Sequence, residues 1–141
     1  MAVWILVANG CKAFLYQTKH LRNKELSLLA TFDHPESREK DQDLVSDHQG
    51  KLQTGHGARS AYEAHDPKEI EIENFAKQLS RHLDAGRKQN KFEKLLIIAH
   101  PHFYGLIHKN LGKKADNILH LPKDYTRYPV AKLSEFISAH F

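Results

Sequence analysis

The sequence predicts an α/β fold built on a mixed five-stranded sheet, and three observations carry that reading. Short β-rich apolar runs, separated by turn formers, fill the stretch before residue 33. After residue 66, runs with helical spacing alternate with short apolar runs. One of those later runs, Lys94 to Ala99, is apolar on both faces, as a parallel strand covered by helices must be.

The elements follow in order. Val3 to Ala8 is an apolar strand, broken by Asn9-Gly10, and Lys12 to Gln17 is a second. Asn-Gly between two such runs signals a hairpin. Glu25 to Phe32 reads as a third strand, with Leu26, Leu28, Ala30 and Phe32 at period two on one core-facing side. The three strands read as an antiparallel β-β-β meander. Residues 34–66, with three glycines and one proline, read as a long loop between the third strand and the first helix. A loop of that length in a compact domain is the first place to look for function.

Asp66-Pro67-Lys68-Glu69 is a helix start: Asp66 as N-cap, Pro67 at the first helical position and Glu69 closing a capping box. Ile72, Phe75, Ala76, Leu79 and Leu83 continue at helical spacing, and Gly86 is expected to stop the helix. Pro101 opens a second helix, with Phe103, Ile107 and Leu111 on one side and Gly112 ending it. Asn117 to Leu121 is a short fifth strand. Pro129 begins a last helix that turns Val130, Leu133, Phe136 and Ile137 inward. A meander followed by α-β-α-β-α, with helices on the sheet faces, matches the ribonuclease-H-like layout.

A chain of 141 residues fills one domain, residues 1–141, and can bury a core without disulfides. The 40% hydrophobic and 27% charged fractions argue against wholesale disorder. No run approaches a membrane-spanning length, and the apolar start lacks the basic flank of a signal peptide. With Cys11 as the single cysteine, a cytoplasmic protein without membrane association is expected. The net charge of +4 is uneven: residues 67–141 carry thirteen basic and eight acidic groups, a field that attracts phosphates. Eleven histidines make the charge rise steeply below about pH 6.5.

Several chemistries fall away. A two-metal nuclease needs carboxylates at its strand ends, and neither the first strand nor the central one has any. The histidines do not pair with carboxylates at a metal-site spacing, so no metal is expected. Neither Cys11 nor Ser60 sits in a nucleophile motif, and Gly55-His56-Gly57 is too little for a nucleotide cradle, so no cofactor is expected. His100 and His102 fall where a parallel strand enters a helix, the place where open α/β sheets bind ligands. There, with the helix N-terminus, they are candidates for anion binding. In the long loop, Thr54 to Tyr62 is glycine-bearing, cationic and tipped with an aromatic. Such a segment can order in an RNA or peptide groove. Gly55, His56, Gly57, Arg59 and Ser60 are therefore the nucleic-acid-binding candidates.

The chain resembles the bacterial host attachment protein family over nearly its whole length. The resemblance rests on Trp4 to Gly10, His34-Pro35-Glu36-Ser37-Arg38, and Leu44-Val45-Ser46-Asp47 with Gly50-Lys51. It continues through Phe75-Ala76, Ala99 to Gly105, and Lys123-Asp124-Tyr125-Thr126. That family is in turn similar to the middle domain of archaeal and eukaryotic peptide-chain release factors, which carries a Gly-Gly-Gln tip in the loop before its long helix. By that resemblance Gly57 keeps the first glycine, Ala58 replaces the second and Arg59 replaces the glutamine. Arginine is a pure donor and has no acceptor with which to orient a hydrolytic water. The resemblance therefore implies a non-catalytic module that contacts ribosomal RNA or tRNA. Two alternatives stand beside it. One is a hydrolase of peptidyl-tRNA or a related ester with His56 as its base; the other is an attachment or partner-binding protein.

Overall fold

The computed structural model describes residues 2–22, 25–33, 67–112 and 118–141. The expected long loop, 34–66, lies outside the described residues, and so does the Asp66 cap. Among the described residues there are eight elements: β1 (Val3–Ala8), β2 (Lys12–Thr18), β3 (Ser27–Asp33), α1 (Pro67–Lys88), β4 (Lys94–Ile98), α2 (Pro101–Leu111), β5 (Ile118–Leu121) and α3 (Val130–His140). The strands form one mixed sheet in the order β3-β2-β1-β4-β5. β1 pairs antiparallel with β2 and parallel with β4, β2 pairs antiparallel with β3, and β4 pairs parallel with β5. The meander and the alternating half are both as expected.

Period-two alternation sorts the sheet into two faces. Trp4, Leu6, Ala8, Leu15, Leu95 and Ile97 point to one face, where Phe75, Leu79 and Leu83 of α1 and Phe103 and Ile107 of α2 cover them. Val3, Ile5, Val7, Leu96, Ile98 and Leu121 point to the other, beneath Leu133 and Ile137 of α3. β1 is therefore buried along its whole length, which is why it reads as an unbroken apolar run.

Three local expectations are corrected, the first being Val130, which is 41% exposed at the first position of α3 rather than turned inward. The pairing of β3 with β2 shifts register between Leu15 and Tyr16, where Leu15 faces Ala30 and Tyr16 faces Leu28. Leu29 is the extra residue of this bulge, and beyond it the side chains exchange faces. Ala30 and Phe32 thus pack with the α1 and α2 core, whereas Leu26 packs on the α3 side and Leu28 and Leu29 are exposed. The four residues do not share one face. Gly86 does not stop α1 either, because the helix continues to Lys88. A Cβ at Gly86 would lie 2.5 Å from two ring carbons of Trp4, so this glycine serves close helix–sheet packing. Gly112 does end α2: it has φ 73°, and its N–H donates to the His108 carbonyl.

The candidate site at the strand carboxyl ends

The carboxyl ends of β1, β4 and β5 lie on the same side of the sheet, because these three strands are parallel. That edge is where open α/β sheets bind ligands. Three connections meet there: Asn9 after β1, His100 after β4, and the segment Pro122 to Pro129 after β5.

A polar network joins the first of these to the third. Asn9 Oδ1 accepts from the backbone N–H groups of Cys11 at 2.8 Å and Lys12 at 2.9 Å, fixing the β1–β2 turn. Asn9 Nδ2 donates to Thr126 Oγ1 at 3.1 Å. Thr126 is buried and donates its hydroxyl to Asp124 Oδ1 at 2.6 Å, and its backbone N–H donates to the same oxygen at 3.0 Å. Burial pushes the Asp124 carboxyl upward. The hydrogen bonds from Thr126 and Asn9, with the charge of His100, outweigh it and hold the group below the usual carboxylate range.

This network is largely closed on itself. Both polar atoms of the Asn9 side chain and the Thr126 hydroxyl are spent on protein partners. It works as a latch that holds the 122–129 segment against the hairpin turn. The latch presents Lys123, Arg127 and Tyr128, all exposed, on the rim. Tyr128 is 45% exposed, yet its ring is held edge-on against Tyr125 at 5.4 Å and Phe136 at 5.2 Å.

His100 and His102 are both exposed, at the start of α2. They have different carboxylate neighbours: His100 acts on Asp124, while His102 Nε2 lies 3.8 Å from Glu69 Oε1 of α1. The helix start between them has no side-chain cap and no acidic residue in its first turn. Gly55, His56, Gly57, Arg59 and Ser60 lie outside the described residues. Cys11 sits in the turn between β1 and β2. Among the described residues no three of His, Cys, Asp or Glu converge to hold a metal ion, and no helix is long and apolar enough to cross a membrane.

Residue pattern by itself does not mark Asp124, Thr126 and Tyr128 as a site. The signal was the run Lys123-Asp124-Tyr125-Thr126-Arg127-Tyr128, in which aromatic and basic residues interleave. A carboxylate does reach the strand ends here, but it arrives from a loop rather than from a strand.

Fold and site together define a small mixed-sheet α/β protein with a latched loop at the carboxyl ends of its parallel strands. The chain belongs to the family described as "Protein required for attachment to host cells", whose profile matches residues 4–137. No curated protein matches the chain.

Proposed function

We propose that the chain is a non-catalytic binding module that contacts RNA, of the ribosome or of a tRNA, from within the cytoplasm. The observation that carries this reading is the latched 122–129 segment. It offers two exposed cations, Lys123 and Arg127, beside a half-exposed tyrosine whose ring is already ordered. Cations meet phosphates and an ordered aromatic face stacks on an unpaired base, the pairing that single-stranded RNA recognition uses. The internal use of the Asn9 and Thr126 side chains favours a scaffold over a catalyst. The sheet order supports reading the fold as ribonuclease-H-like, akin to the release-factor middle domain. On that reading Arg59, with Gly55, His56, Gly57 and Ser60, adds a second contact.

The test is co-sedimentation with ribosomes at low and moderate salt. Binding is expected to weaken as salt rises, and removing one phosphate contact by Arg127→Ala is expected to reduce the salt slope by about 1. Tyr128→Ala is expected to weaken binding without changing that slope. Absence of the wild type from ribosomal fractions at low salt overturns the reading. A release assay on a model peptidyl-tRNA separates it from a hydrolase, which requires turnover that His56→Ala abolishes.

The family description favours a second reading, a partner-binding protein with a role in attachment. Fractionation distinguishes the two: a direct role requires the protein at the cell surface, whereas a wholly cytosolic protein leaves an indirect one.

A further inference from the structure

The amino end of the sheet, opposite the latch, carries a cavity of about 730 Å³. That volume lies within the range of small-ligand sites. Its floor is apolar: half-buried Leu21, Leu119 and Phe141 line it, backed by buried Val3 of β1.

The rim has a different chemistry. Lys19 and Lys94 stand around it with His20 and Glu93, and Arg22 reaches a backbone oxygen of Phe141 there. Among the described residues neither Lys19 nor Lys94 makes an ion pair. Lys94 opens β4, and the turn after β2 that bears Lys19 is held by two contacts: Thr18 Oγ1 donates to the His20 carbonyl at 3.1 Å, and Arg22 Nε donates to a backbone oxygen of Phe141. A second cavity of about 380 Å³ adjoins the first and shares Lys19, His20 and Glu93.

We propose that this groove binds a small amphipathic anion, its aliphatic body on the Val3–Leu119 floor and its phosphate or carboxylate head between Lys19 and Lys94. An apolar floor gains from covering an alkyl chain. Two lysines that make no ion pair among the described residues gain from an anionic head, and positive charge around the groove raises its local concentration. Neither half of such a ligand is sufficient: a bare phosphate leaves the floor wet, and a neutral chain leaves the lysines uncompensated. This site is separate from the RNA-contacting rim and does not depend on it.

The test is isothermal titration of the full chain with decyl phosphate kept below its micellar concentration. Decanol, inorganic phosphate and vesicles containing anionic phospholipid serve as comparison ligands. Saturable binding of one decyl phosphate is expected, with decanol and inorganic phosphate each at least about tenfold weaker. The exposed double variant Lys19→Ala/Lys94→Ala is expected to lose about tenfold or more in affinity while its circular dichroism is unchanged, the effect of one lost charge-assisted contact. Absence of saturable binding overturns the proposal. So does equal binding by the double variant, or inorganic phosphate binding as well as decyl phosphate. Adsorption to vesicles without binding of the monomeric ligand overturns it too, because it identifies a membrane surface rather than a ligand cavity.

Discussion

Asp124 concentrates the residue-level energetics of the latch. Its carboxylate is the acceptor for both the hydroxyl and the backbone N–H of buried Thr126. Asp124→Ala leaves those donors without that acceptor, a loss we expect to cost about 1–3 kcal/mol in urea unfolding. The folded carboxyl is held below its ordinary value, so its contribution is present above about pH 4, the unfolded value, and fades as pH falls through the lower folded value. In unfolding midpoints measured from pH 5 to pH 2.5, Asp124→Asn should show a shallower acid limb than the wild type. An identical limb would remove Asp124 from the account. Gly86 makes a second residue-scale case. Alanine is favoured over glycine within a helix by about 1 kcal/mol. Here its Cβ would meet the Trp4 ring at 2.5 Å, and overpacking a core costs about 1–3 kcal/mol. We expect Gly86→Ala to lower the thermal midpoint, against the helix-propensity trend.

Between elements, α1 and α2 are joined by two kinds of contact of unequal strength. Buried Ser80 shares its one hydroxyl proton between the Ala76 carbonyl at 2.8 Å and the Ile107 carbonyl of α2 at 3.1 Å. The Glu73–Lys109 pair, at 3.8 Å, is largely exposed. Buried hydrogen bonds contribute about 1 kcal/mol, and exposed ion pairs rarely reach that. Ser80→Ala should therefore destabilise more than Glu73→Gln, and denaturant titration of the two variants gives the comparison. The reverse order would mean that solvent-facing charge governs how the two helices dock. The β3 bulge belongs to this scale too. One extra residue, Leu29, redirects Leu26 and Leu28 away from the face that Ala30 and Phe32 share.

At the scale of the molecule, two cores lie on opposite faces of one sheet and share β1 and β4. Neither face can lose its packing without uncovering strands that the other needs. A single unfolding transition is therefore expected. Trp4, the only tryptophan, reports the α1 side, and far-ultraviolet circular dichroism reports α1, α2 and α3 together. Their midpoints should coincide, and a separate dichroism transition would mean that α3 unfolds alone. The two ends of the same sheet are chemically distinct. One bears a latched aromatic and basic rim, and the other an apolar groove ringed by lysines.

Strand and helix identities, their order and most of the core were legible in the sequence, because burial on two faces or one leaves a periodic mark. The uninterrupted apolar runs of β1 and β4 and the helical spacing of Phe75, Leu79 and Leu83 are such marks. The bulge at Leu29, the packing role of Gly86 and the Asn9–Thr126–Asp124 latch carry no such mark. Each depends on which distant residue comes to lie beside it: Tyr16 for the bulge, Trp4 for the glycine, and for Asn9 a threonine 117 positions away. Local patterning encodes which side of an element is dry, whereas contacts across the sheet and between its loops arise when the chain closes on itself.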